Sequence, residues 1–301
     1  MSRFGQRSRV GTALSAWGFP TGDEYLMPID FLVVAGGGST FAAVSAGAGA
    51  GGMRCSVTAT GGGGPLEASQ KIALGTNYTV TVGAGGSGLT GPNGTNGSDS
   101  VFATITSVGG GGAGNTAGGG SGGGIKASSP TAPGTPNQGY AGGVWGGYDD
   151  VSASAGGGAG AVGGNAVFAT RGGHGGTGVA TSITGSSVTY AGGGGGAGRA
   201  PNPFGPYSAS AGNAGAGGGG AGVQTDYSGS APAGNAGSAN TGGGAGGGGT
   251  TSAGGSGVVI LRYLTADGTI TIGAGLTGTT ATDGSYKVTT ITAGTGNVSW
   301  A

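Results

Sequence analysis

The sequence predicts an all-β protein in which short strands alternate with glycine tracts folded as polyglycine II helices, with essentially no α-helix. Three observations lead there. Of 301 residues, 86 are Gly and 11 are Pro, so the two make up roughly a third of the chain against about 12% in an average protein. Charged residues are only 7% of the total, too few to solvate an expanded, disordered chain. The apolar residues are gathered into islands rich in Val, Ile, Thr, Tyr and Phe, bounded by glycine and without helical periodicity.

The islands at 29–35, 77–82, 101–108, 187–190 and 257–264 read as strands. Between them lie glycine clusters at 36–38, 61–64, 109–112, 118–124, 156–164, 172–178, 192–198, 214–222 and 242–249. None keeps the one-in-three glycine of collagen. Every residue still carries an N–H and a C=O that need partners when buried. A left-handed helix with three residues per turn makes no internal hydrogen bonds, so its amides are free to bond neighbouring helices, and glycine lets those neighbours approach. Ordering 86 glycines costs on the order of 100 kcal/mol of backbone entropy. The strands are therefore expected to act as a scaffold that holds the tract ends together.

Two stretches are alike. Asp99-Ser100-Val101-Phe102-Ala103-Thr104 and Asn165-Ala166-Val167-Phe168-Ala169-Thr170 each read as a short strand feeding a glycine tract. Beyond Leu264 the tracts stop, and 266–301 reads as a small separate β element, with strands at 269–272 and 286–292 and turns at Asp267-Gly268 and Asp283-Gly284. The division expected is an N-terminal arm (1–28), a glycine-rich domain (29–265) and this C-terminal element.

Charge and motif content exclude several function classes. Ten basic and ten acidic residues cancel, so nothing steers the chain to nucleic acid. The longest apolar runs, 31–35 and 258–261, are far below the ~20 residues of a membrane span, so no membrane insertion is expected. After Arg3, Arg7 and Arg9 the chain is too polar for a signal-peptide apolar region. Cys55 is the only cysteine, so no intrachain disulfide forms. The single histidine, His174, sits in glycine without a carboxylate nearby, which leaves no catalytic triad and no metal set. Residues 47–52 satisfy a dinucleotide-type glycine pattern, but no helix follows, and no Gly-Lys-Ser/Thr phosphate loop occurs. No cofactor and no enzymatic activity are expected.

The chain resembles the glycine-rich domains of tailed-phage structural proteins. The resemblance rests on Phe31-Leu32-Val33-Val34-Ala35 running into Gly36-Gly37-Gly38, on Tyr78-Thr79-Val80-Thr81-Val82-Gly83, and on Gly254-Gly255-Ser256-Gly257-Val258-Val259-Ile260-Leu261-Arg262-Tyr263. It covers about 28–264. It implies a β-sandwich of jelly-roll or TNF-like type carrying an inserted polyglycine II bundle. It also implies a virion role: a tail fibre or tip adhesin, assembled in the host cytoplasm as a homotrimer, attached to other virion proteins and binding a host receptor, a glycan or an outer-membrane protein. The alternative is a purely structural subunit, such as a head fibre, filament or decoration protein, whose loops make subunit contacts.

The candidate contact residues lie in three glycine-poor stretches, 126–154, 199–210 and 223–233. The first holds Tyr140, Trp145, Tyr148, Asp149 and Asp150, the second Phe204 and Tyr207, the third Asp226 and Tyr227. Aromatic faces beside acidic and amide groups suit a sugar ring or a protein loop; equally, such aromatics suit caps on the glycine bundle. Arg3, Arg7, Arg9 and Trp17 are the candidates for virion attachment.

Overall fold

A computed structural model of the chain describes residues 26–42, 44–88, 91–114, 118–125, 131–145, 152–200, 208–226 and 232–301. The strands run in the order β1 (Leu26–Val34), β2 (Met53–Cys55), β3 (Gln70–Ala73), β4 (Tyr78–Thr81), β5 (Ser100–Phe102), β6 (Ile105–Ser107) and β7 (Val179–Thr181). They continue with β8 (Val188–Tyr190), β9 (Gly198–Arg199), β10 (Gln224–Thr225), β11 (Val258–Leu264), β12 (Ile270–Ile272), β13 (Leu276–Asp283) and β14 (Tyr286–Trp300). No α-helix occurs among the described residues. The protein is all-β.

Ten strands form one sheet, ordered β2-β1-β11-β14-β4-β5-β6, with β3 on β1 and with β12 and β13 on β14. It curls until its ends meet: the Gly52 N–H, next to β2, donates to Val108 O, next to β6, at 2.8 Å. Gln138 fills the remaining gap, its main-chain oxygen taking the Met53 N–H and its side chain the Val108 N–H, so the sheet is nearly closed and both end edges are covered. Side-chain alternation along β1 explains the two faces. Met27, Ile29, Phe31 and Val33 enter one core with Leu261, Tyr263, Ile291 and Trp300. Leu32 and Val34 point the other way, against Met53, Ile260 and the alanines Ala50, Ala159 and Ala191 of the glycine tracts.

Residues 266–301 share this sheet: β14 pairs β11 through 286–291 and β4 through 295–298. The strand runs on past residue 292 because Val298 and Trp300 are again buried. One expected strand is corrected. The segment 101–108 is a hairpin, with Val101 opposite Thr106 and the chain reversing at Ala103 (φ +52°). Its look-alike reverses in the same way: Val167 bridges Arg171, and Ala169 has φ +50°. The shared Ala-Thr thus lies in a chain reversal in both segments, in the first directly after β5 ends at Phe102.

The glycine tracts show the three-residue period directly. The N–H groups of Ala35 and Gly38 donate to Gly52 and Gly49, those of Gly36 and Ser39 to Ser98 and Thr95, and those of Gly37 and Thr40 to Gly255 and Ser252. Each third residue meets the same neighbour, three residues further back. Tract 45–52 is the centre of the lattice. It donates to 154–157, to 242–248 and to 108–111, and accepts from 35–38, 121–124 and 194–197. Six neighbours, some parallel and some antiparallel, surround one three-fold helix, which is polyglycine II packing.

Glycine is required by contact here. A Cβ on Gly47, Gly49 or Gly51 would stand 2.0–2.2 Å from the carbonyl oxygen of Gly194, Ser121 or Ala35. The alternate residues Ala46 and Ala48 instead place their methyls in an apolar cluster with Phe41, Val44 and Ala245. The tract ends are fixed as the entropy argument requires: 35–40 leaves β1, 45–52 enters β2, 191–197 leaves β8 and Gly257 enters β11.

Candidate functional site

Because 45–52 runs into β2, its residue 45 marks the end of the bundle remote from the sheet. Register places the glycine-poor stretches relative to that mark. Gly47 donates to Ser154, Ala197 to Ser45, and Ser45 to Gly248. Gly198 donates to Val223 and Gly172 to Ser210. The flanks of all three stretches therefore lie at the remote end.

They are also tied to one another. Ser152 bridges Gly198, Arg199 bridges Ala209 and Arg171 bridges Ser210. The short parallel ladder β9–β10 sets Gly198 beside Gln224 and Arg199 beside Thr225. The Gln224 amide Nε2 donates to Ala209 O at 3.0 Å, and the Ala200 N–H to Thr225 O at 2.7 Å. A platform of main-chain bonds thus carries the loop bases, with Arg171 and Arg199 half-buried in it and Gln224 and Asp226 exposed. His174 is exposed next to it, and its Nδ1 accepts the Asn213 N–H at 2.9 Å, taking the place of a backbone carbonyl in the lattice.

Among the contact candidates, Tyr140, Trp145 and Asp226 are described, and they are not brought together. Asp226 and Trp145 belong to the remote end. Tyr140 faces the sheet end: its N–H donates to Gly158 O, and its hydroxyl lies over Gly63. Five residues at ~3.1 Å rise separate Tyr140 from Trp145 by ~15 Å along the bundle. Tyr148, Asp149, Asp150, Phe204, Tyr207 and Tyr227, and the attachment candidates Arg3, Arg7, Arg9 and Trp17, lie outside the described residues.

The sheet end has a cleft of ≈ 330 Å³ lined by Arg54, Thr60, Pro65, Glu67, Pro136, Asn137 and Gln138. Sequence reading missed it, since these residues are brought together from two distant segments, 54–67 and 136–138. Its charges are spent on each other: Arg54 Nε donates to Glu67 Oε1 at 2.8 Å. Gln138 is a structural clasp, accepting the Val108 N–H at 2.8 Å and the Met53 N–H on its main-chain oxygen. The shifted titrating groups lie elsewhere: burial pushes up the Cys55 thiol and the Tyr190 and Tyr263 phenols, all three in the packing around the sheet. Among the described residues, no three of His, Cys, Asp and Glu gather as metal ligands would.

A curled all-β scaffold clamping a polyglycine II bundle defines a class of glycine-rich β protein. The chain belongs to the glycine-rich domain family, whose profile matches residues 9–264. No curated protein matches it, nor does any solved structure.

Proposed function

We propose that the protein is a non-enzymatic virion appendage, a tail fibre or adhesin of a tailed phage, that presents loops for host receptor recognition. The observation that supports this reading is the convergence of three loop bases on one end of a bundle held by hydrogen bonds on every side. Such a platform fixes its loops in advance and so lowers the ordering cost of binding. The phage assignment comes from the resemblance of the strand motifs. Receptor contact falls to the aromatic and acidic residues that the three stretches hold at that end, Tyr140 excepted because it faces the sheet, through stacking and hydrogen bonds to a glycan or a protein loop. The segment preceding β1 carries the attachment to other virion proteins, Leu26–Pro28 of the expected arm being part of that strand, and more than one copy of the chain on the particle multiplies the contacts.

The test is binding of labelled protein to whole bacteria that the parent particle adsorbs to, comparing wild type with Trp145→Ala/Tyr207→Ala. Saturable binding is expected, weakened at least tenfold in the double variant, about 1.4 kcal/mol, at an unchanged unfolding midpoint. Folded wild type that leaves such cells unlabelled overturns the reading and favours the purely structural subunit.

A further inference from the structure

The structure assigns an interaction surface that the adhesin reading does not use: the free edge of β13, which we propose pairs with β13 of a second copy of the chain. Among the described residues β13 pairs only with β14. The other peripheral strands are short and blunted. β3 carries Lys71 and gives its Ala73 N–H to the Tyr78 hydroxyl at 2.7 Å. In β12, the Ile270 N–H goes to the Tyr263 hydroxyl at 3.2 Å. β13 is eight residues long, has no proline, and exposes Thr279, Thr280, Ala281 and Thr282. Its one charge, Asp283, stands 3.5 Å from the Arg262 guanidinium. Charge, proline, bulges and brevity are the usual protections of a strand edge; between Gly278 and Thr282 β13 has none of them, since its charge, Asp283, and the register shift at Thr277/Gly278 lie at its two ends.

Hairpin geometry decides which groups point outward. The turn has two residues, Gly284 (φ +57°) and Ser285, so its flanking pair Asp283↔Tyr286 is hydrogen-bonded, and alternate pairs inward are not. Thr280↔Thr289 is then a non-bonded pair, where side chains approach most closely; their Oγ1 atoms are 2.8 Å apart. It follows that Gly278, Thr280 and Thr282 aim their N–H and C=O groups away from β14.

A second copy fits this edge about a two-fold axis at Thr280. Antiparallel pairing sets Thr280 against Thr280, and Gly278 against Thr282 twice over, so every outward group of both edges finds a partner. The intervening positions set Thr279 against Ala281 and Thr277 against Asp283, so the only charge never meets itself. Threonine pairs of this kind are favourable across strands, the interface is isologous, and the chain's zero formal charge opposes no approach.

The test is light-scattering mass and amide hydrogen exchange on the full chain from micromolar concentration upward, for wild type, Thr280→Lys and Thr282→Pro. The lysine sets two like charges opposite each other; the proline removes an outward N–H that β14 does not use. Wild type is expected to reach twice the chain mass of 27.2 kDa, with exchange at Thr280 and Thr282 slowing as concentration rises. Both variants are expected to stay at the single-chain mass with wild-type circular dichroism, and either one suffices if the other fails to fold. A wild-type monomer throughout, or a dimer or trimer that both folded variants leave intact, overturns the proposal.

Discussion

Replacing Gly194 by alanine adds one methyl group at the most crowded kind of position in the bundle. Its Cβ would lie 1.9 Å from the Ala245 oxygen and 2.5 Å from the Ala245 carbonyl carbon. An ordinary C···O contact is about 3.3 Å, so the backbones must part by ~1.4 Å. Gly194 cannot move freely, because its N–H donates to Ala48 O at 2.9 Å and its own oxygen accepts the Gly156 N–H at 2.9 Å. A shift of that size breaks at least one of these bonds and leaves its donor and its acceptor unpaired. Each buried group left without a partner costs about 1–3 kcal/mol, while the stiffer unfolded chain returns about 0.4–1 kcal/mol. The net loss is on the order of 3–4 kcal/mol, or roughly 10 °C in Tm. The control is Gly91→Ala, at an exposed glycine whose nearest atom to a new Cβ is 3.9 Å away; its stability should change by less than about 0.5 kcal/mol. Urea and thermal unfolding followed by circular dichroism measure both. Equal midpoints for the two variants would refute direct backbone packing as the reason for glycine.

Alkaline pH should destabilise the fold. Burial raises Cys55 above its ordinary 9.0 and Tyr190 and Tyr263 above 10.0, so the unfolded chain releases its protons first and stability falls as pH climbs through that range. A urea midpoint that is level or rises between pH 9 and 11 contradicts this. The same burial leaves the Cys55 thiol protonated, with its Sγ 2.9 Å from Val57 O, so a thiol reagent at pH 8 should label it only at the rate of unfolding. Asp99 Oδ1 accepts the Gly109 N–H at 2.8 Å, a side-chain acceptor where the tracts otherwise use a main-chain carbonyl; Asp99→Ala should cost about 1–3 kcal/mol and Asp99→Asn much less, read from urea midpoints.

What was legible in the sequence follows from how locally each feature is encoded. The strands β1, β11 and β4 announce themselves because buried positions are written into Phe31, Val33, Val259, Leu261 and Val80. The three-fold tracts were legible through accounting, since a glycine run without charge can satisfy its amides only sideways. The neighbours themselves were not. Nothing local tells Ala48 that its N–H goes to Ala245, nearly two hundred residues on. The hairpin at Ala103 was missed because a non-glycine residue at positive φ is rare, and alternation continues across it. Strands β2 and β9, of three and two residues, are too short to carry a pattern.

The candidate site was legible only as composition. Glycine-poor stretches mark where the lattice stops, yet which end of the bundle each reaches depends on tract direction. Tyr140 shows the consequence: a stretch that starts and ends remote from the sheet returns to it at Gln138, whose side chain reaches Val108. The sheet shows the same dependence on distant pairing. β14 lies beyond the family match, which ends at residue 264, and yet it joins β11 to β4. The clamp that holds the tract ends is thus completed by a strand that is not glycine-rich. The hairpin partner of that strand, β13, is also the one long edge left open among the described residues. Closing the glycine bundle and exposing a pairing edge are therefore two results of adding one hairpin, and a variant that removes 266–301 should lose both together: bundle stability and self-association.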